Sequence, residues 1–288
     1  MEEIKTISIQ DKNYPRLLKE IKEPPKILYV KGEIFPEENC FAIVGPRRCT
    51  GYGKQMAEEL AADIIDAGLT IVSGMAKGID TVAHREAVKR NRRTIAVLGS
   101  GIDERSIYPQ ENVKLAREIV KNGGAVISEF PIGDAGLPYH FPQRNRIISG
   151  LSLGVLVIEA KMKSGAMITA SWAADQSREV FAVPGPINML TSNGPNYLIK
   201  QGAKLVADIN DILEELNLPL KELKGKEIEA ESPEEETILK ALEEGPLHID
   251  KIIGKTKLNS NVVSSTLLLM EVQRKVKNLG GNTYTIAR

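Results

Sequence analysis

The sequence predicts an α/β fold: a mostly parallel sheet covered by helices on both faces, followed by a small second domain. Three observations carry this reading. Apolar strand-sized runs alternate with helical segments along most of the chain, most of those runs end directly in glycine, and the composition changes after Leu218. Strands covered on both faces read as nearly unbroken apolar runs. A chain of 288 residues suits one large domain with an appendage.

Residues 11–32 form a lead-in, with Leu17, Leu18 and Ile21 at helical spacing, Pro24-Pro25 as a break and ILYV as a strand. Regular units follow: CFAIVG with a helix over 54–67, LTIVSG with a helix over 79–89, TIAVLG with a helix over 111–121, and AVISE with a helix over 142–149. Then come GVLVIEA with a helix over 168–176, EVFAVPG with one over 196–201, and AKLV with one over 209–216. Gly45, Gly74, Gly99 and Gly185 close four of these strands. Right-handed crossovers put all strand-to-helix loops on one edge, so the glycines are expected to converge at the carboxyl edge of a Rossmann-like sheet, where such folds bind ligands.

Residues 219–236 hold seven Glu and three Lys with few apolar anchors, and Ser232-Pro233 with Glu235 marks a helix start. Three short amphipathic segments and a hairpin turning at Gly280-Gly281 then give the order of a winged helix. The expected domains are 1–218, including the lead-in, an acidic linker over 219–231, and a winged-helix domain over 232–288.

With 38 Lys plus Arg against 38 Asp plus Glu, the chain has no bulk charge with which to coat a polyanion, so a polyanion site must be local. The first residues are acidic and lack an apolar run, and no apolar run approaches the ~20 residues of a membrane span. Cys40 and Cys49 read as reduced thiols. The expected location is cytoplasmic, with no membrane contact.

Between the first long strand and its helix lie Gly45-Pro46-Arg47-Arg48-Cys49-Thr50-Gly51-Tyr52-Gly53. Pro and Arg stand where a dinucleotide fingerprint needs its second glycine, whereas Arg47 and Arg48 beside a helix start suit phosphate oxygens, with Thr50 adding a hydroxyl. Gly99-Ser100-Gly101 is nearer the fingerprint, but residue 104 is Glu, and no Walker A motif occurs. The loop Ser73-Gly74-Met75-Ala76-Lys77-Gly78 brackets a lysine with glycines that expose backbone N–H groups.

Asp80 and His84, four apart, read as a packed histidine bonded to Asp80 or backbone. Around 138–150, Phe141 is a candidate stacking ring, and Arg144, Asn145 and Arg146 are candidate backbone contacts for an extended strand. Lys163, Ser164, Gly165 and Thr169 form a further phosphate cradle before a helix. Trp172 is expected in the core or an interface. No nucleophile elbow, HExxH or cysteine–metal spacing occurs in the sequence, so no catalytic residue, metal or cofactor is expected.

Together these motifs closely resemble the DNA-processing protein A family, also called DprA or Smf. The stretches that carry the resemblance are VGPRRCTGYG at 44–53, SGMAKGIDTVAH at 73–84, TIAVLGSGID at 94–103, ISEFP at 127–131, FPQRNRIISGLS at 141–152, VIEAKMKSGAMITASWA at 157–173 and REVFAVPGPI at 178–187. The resemblance spans residues 11–216. It implies a homodimeric, non-catalytic protein that binds single-stranded DNA, protects incoming strands and helps load a RecA-type recombinase in natural transformation. It places the family's loop arginine at Arg47, its second-loop lysine at Lys77, and the paired arginines of FPxRNR at Arg144 and Arg146. Trp172, Met162 and Met167 are candidates for the dimer surface.

The C-terminal part is similar to the winged-helix appendage of many members. Its candidate recognition helix, NSNVVSSTLLLMEV, has no Arg or Lys, which argues for a protein contact or weak accessory DNA role over duplex readout. Lys275 and Lys277 are its accessory phosphate candidates, and Val262, Val263, Leu267 and Leu268 its candidate core. Two rivals are a nucleotide-processing enzyme and a winged-helix regulator. The first wants a P-G-G-x-G-T-x-x-E segment, and Pro184-Gly185-Pro186-Ile187-Asn188 supplies no glutamate in that register.

Overall fold

All five residues of strand β3 (Cys40–Val44) are buried, because helices cover both of its faces. The computed structural model describes residues 3–220, 230–243, 245–273 and 275–286. In chain order the first part runs β1 (Lys5–Ser8), α1 (Arg16–Lys19), β2 (Ile27–Gly32), β3, α2 (Gly51–Asp66), β4 (Thr70–Ser73), α3 (Ile79–Lys89), β5 (Thr94–Leu98), α4 (Val113–Lys121) and β6 (Ala125–Ser128). It continues with α5 (His140–Gly150), β7 (Gly154–Val157), α6 (Gly165–Asp175), β8 (Glu179–Ala182), α7 (Asn193–Lys200), β9 (Lys204–Leu205) and α8 (Ile209–Glu215).

These strands form one sheet in the order β1-β2-β6-β5-β4-β3-β7-β8-β9. Neighbours from β6 through β9 pair in parallel, while the lead-in adds β2 and β1 antiparallel at one edge. Alternate residues serve opposite layers, as strand geometry requires. Ala42 and Val44 pack with Ile147 of α5 and Leu151 just past it, and with Ala166 and Ala170 of α6. Phe41 and Ile43 pack with Leu60 and Ile64 of α2 and with Ile79 and Ala83 of α3.

Several helices begin earlier than their apolar spacing indicates, because their first turns are polar. Helix α2 starts at Gly51, since the Thr50 hydroxyl accepts the Gly53 N–H at 3.0 Å and caps it. Helix α6 starts at Gly165 and α7 at Asn193, after a 3₁₀ turn at Leu190–Ser192. Strand β1 escapes prediction because its residues, KTIS, are half-polar and it is fixed by pairing with β2.

The chain divides into two compact units, Met1–Lys221 and Glu222–Arg288. Most of the expected linker, 221–229, lies outside the described residues. The second unit contains α9 (Pro233–Leu242), β10 (Leu247–His248), α10 (Ile249–Thr256), α11 (Ser260–Val272), β11 (Val276–Asn278) and β12 (Thr283–Ile286). Its three strands pair in the order β10-β12-β11, the winged-helix arrangement. Val263, Leu267 and Met270 share one face of α11 and are buried. Val262 and Leu268, expected with them, fall on other faces of the helix and are 37% and 62% exposed.

Candidate nucleic-acid interface

From β3 the chain adds β4, β5 and β6 outward on one side, then crosses back so that β7 pairs with the other side of β3. Loops leaving neighbouring strands in opposite directions leave a crevice at such a reversal, the usual ligand position in open α/β sheets. A cleft of about 500 Å³ lies there. The loop after β3 supplies Gly45, Arg47 and Arg48, α5 supplies Phe141, Arg144 and Asn145, and the segment opening α6 supplies Lys163, Ser164, Gly165 and Thr169. The structure thus brings together ten of the residues singled out in the sequence.

Charge on the rim is uncompensated. Arg47, Arg48, Lys161 and Lys163 border the cleft and are exposed, and none is among the ion pairs of the described residues. The Arg47 guanidinium lies 5.6 Å from the centre of the Phe141 ring, which gives it a preferred pose. Lys161 was missed in the sequence; the signal was its place two residues before Lys163, four residues past the end of β7. The Ser164 hydroxyl is buried without a hydrogen-bond partner, and it does not cap α6 although Ser164 is the N-cap residue. The first N–H groups of α6 therefore lack a side-chain cap where they adjoin the cleft, a favourable arrangement for an anion.

The two arginines of α5 have separate fates. Two residues apart, they sit about 200° apart around a helix and cannot share a face. Arg144 is buried at the cleft floor, where its Nη1 donates to the Gly74 carbonyl at 2.7 Å and to the Val97 carbonyl. Burial lowers its guanidinium to about 10, and the nearby Asp80 carboxylate opposes that. It is a strut between strand ends. Arg146, expected in the trough, instead makes a buried two-point ion pair with Glu129 at 2.6 and 2.7 Å and donates to the Glu23 carbonyl. It ties α5 to the loop after β6 and to the lead-in.

Other expected contacts are also committed elsewhere. Lys77 pairs with Glu111 at 2.6 Å and does not border the cleft. Thr50 donates from its hydroxyl to Glu159 at 2.6 Å and from its backbone N–H at 3.0 Å, and the Thr191 hydroxyl joins the same carboxylate at 3.1 Å. Glu159, overlooked inside an apolar run, thus fastens both walls. Ser73 is buried and donates to the Ile43 carbonyl, and the Thr169 hydroxyl donates back to Gly165 within its helix. Asn145 donates to the Gly165 carbonyl at 3.1 Å and fixes α6 against α5.

The glycines act mostly through space. A Cβ at Gly45, Gly53, Gly74 or Gly99 would strike Ile79, Glu159, Arg144 or Phe141 respectively, and one at Gly101 would strike the Pro131 carbonyl. Gly78 has φ of +78° and lets the second loop press on the Pro46 carbonyl of the first.

His84 does not pair with Asp80. Its Nδ1 lies 2.8 Å from the Thr94 hydroxyl, which itself donates to the Ile71 carbonyl, so Nδ1 carries the proton. Burial holds the ring neutral, its pKa lowered to about 3. Asp80 sits at the cleft floor, raised to about 6 by burial against the pull of Arg144 and the Ala76 N–H. Among the described residues, no group of three or more His, Cys, Asp or Glu could hold a metal, and no helix is long and apolar enough to cross a membrane. In the second unit Lys275 is neutralised by Glu235 at 2.8 Å and Glu231 at 2.9 Å, which removes it as a ready phosphate contact; Lys277 is exposed on β11.

The family model for DNA recombination-mediator protein A matches residues 5–217. The chain belongs to that family. A DprA winged helix domain model matches residues 224–282 of the same chain. Protein Smf of Escherichia coli (strain K12) is 46% identical over 208 residues, covering 72% of this chain and 55% of its own length, so this chain spans just over half of that relative. The DprA structure from Streptococcus pneumoniae has a TM-score of 0.68 at 41% identity and covers 76% of each chain. The Helicobacter pylori structure, titled for the single-stranded DNA binding mode of DNA processing protein A, has a TM-score of 0.65 at 32% identity, over 75% of this chain and 96% of that one.

Proposed function

We propose that the cleft holds single-stranded DNA through its phosphates, without reading sequence. The observation that carries this is the set of four uncompensated cations, Arg47, Arg48, Lys161 and Lys163, around the start of α6 in a chain of zero net charge. Phosphates displace counterions when bound, at a slope of about −0.7 per contact for single strands, so four contacts give a log-log salt slope of about −3. Titration of unrelated single-stranded and duplex oligonucleotides at two salt concentrations tests this. A steep salt dependence with preference for the single strand is expected; no salt dependence, or equal affinity for duplex, overturns it.

The same reading extends to assembly and setting. The chain works in the cytoplasm as a homodimer that hands strands to a RecA-type recombinase in natural transformation. Support for self-association comes from exposed apolar residues between β8 and α7, with Ile187 91% and Leu190 67% exposed. Met162 is also exposed, while Trp172 is half-buried. Sedimentation at micromolar concentration should give twice the chain mass, and co-sedimentation of a recombinase on protein-coated single strands tests the hand-off. Residues 1–218 carry this function as a folded unit.

A further inference from the structure

Cations alone do not explain a preference for single strands, because duplex DNA presents phosphates at higher density. Selectivity needs groups that meet bases only when these are unpaired and unstacked, and aromatic faces do that. Phe141 is poorly placed for the task. It is half-buried, with Arg47 over its ring, the Tyr108 ring 5.6 Å away at 58°, and Gly99 packed so close that a Cβ there would strike it. Its ring serves as a spacer that links the first loop to Tyr108.

Two neighbouring rings remain open. Tyr108 is 47% exposed and rests against the cleft-lining Phe141. Its segment is fixed, because the Asn112 side chain donates to the Met75 carbonyl and the Thr81 hydroxyl, both at 2.8 Å. Tyr139 is 63% exposed, follows the cleft-lining Pro138 and immediately precedes α5. Its ring stands perpendicular to His140 at 4.6 Å, and His140 is stacked on Phe130 at 3.9 Å, so the support is rigid. Both rings therefore adjoin residues that line the cleft, Tyr108 through its contact with Phe141 and Tyr139 through its neighbour Pro138 in the chain.

Resting on the single-strand reading above, we infer that Tyr108 and Tyr139 are the base platforms of this site, stacking unpaired nucleobases of a strand whose phosphates lie on the cationic rim. Rings held in place before binding lose little freedom when a base arrives, which suits them to sequence-tolerant contact.

The test compares a thymidine oligonucleotide with an abasic deoxyribose-phosphate oligonucleotide of equal length, on the full chain. Wild type should bind the thymidine strand about fivefold or more tightly for each ring engaged. Tyr139→Ala and Tyr108→Ala should each lose part of that preference, while Tyr139→Phe and Tyr108→Phe keep it. Arg47→Ala should weaken both oligonucleotides alike. Equal binding of the two by wild type overturns the platforms and leaves the phosphate reading standing, as does a preference unchanged in Tyr139→Ala and Tyr108→Ala. Failure to bind either strand overturns both. Should Tyr108→Ala not fold, Tyr139→Ala and the wild-type comparison decide between these outcomes.

Discussion

The sheet cleft and helix α11 are the two places where this chain's folds would ordinarily meet nucleic acid, and they are built from opposite materials. The cleft carries Arg47, Arg48, Lys161 and Lys163 without ion-pair partners. Helix α11 carries no Arg or Lys and exposes Leu268, Leu269 and Val272, the last at 75%. The nearby Lys275 is spent on two carboxylates of its own unit. Architecture offers two places for a polyanion, and the cleft is the one that holds a set of uncommitted cations.

The strongest way to break this comparison is to discharge the cleft. Replacing Arg47, Arg48, Lys161 and Lys163 together by Ala should weaken single-strand binding by about a thousandfold or more, since each charge-assisted contact contributes about 1.5–3 kcal/mol. Fluorescence anisotropy near physiological salt measures it. Retained affinity would move the principal site to the second unit.

Next in size is the strut beneath the rim. Arg144→Met leaves the Gly74 and Val97 carbonyls buried without their donor, and each buried polar group left unpaired costs about 1–3 kcal/mol. Denaturant unfolding should show that loss. A change below about 1 kcal/mol would mean that the cleft floor does not depend on these bonds.

Acid response sharpens the contrast between floor and rim. Asp80, raised to about 6 from its ordinary 3.8, binds a proton in the folded state that the unfolded chain has released, so its contribution to stability falls as pH rises from about 4 to about 6. His84, lowered to about 3 from 6.5, does the reverse, and its contribution rises over the same window. The two slopes oppose each other in the wild type. Asp80→Asn should therefore gain stability more steeply than wild type as pH rises through that range, and His84→Gln less steeply. Unfolding curves at several pH values read both; parallel profiles for all three proteins would exclude the buried groups as its source.

The smallest effect is expected in the second unit. Lys277→Ala should change single-strand affinity by less than about twofold, in keeping with an exposed charge beside a contact made elsewhere. A tenfold loss would promote the winged helix to a principal site.

Much of the sheet was legible because burial on both faces leaves an unbroken apolar signature. The helix expected over 79–89 coincides with Ile79–Lys89, and strand ends marked by Gly45, Gly74 and Gly99 do sit at the carboxyl edge. The place of the cleft was legible as well, through the loops at strand ends that line it. What the sequence hid was partnership. Nothing near Lys77 announces Glu111, 34 residues away, and nothing near Lys275 announces Glu235, 40 residues away. Arg146 differs: its two-residue offset from Arg144 already told that only one of them could face the cleft. Glu159 was hidden differently, as a single charge within a strand's apolar continuation, whose meaning depends on Thr50 and Thr191 arriving from other loops.

The sheet ends in β1, four residues long, and β9, only two. Long open strands invite neighbouring molecules to add on by backbone hydrogen bonding, and short ones do not. Copies of this chain brought side by side would therefore have little means of fusing into a continuous ribbon.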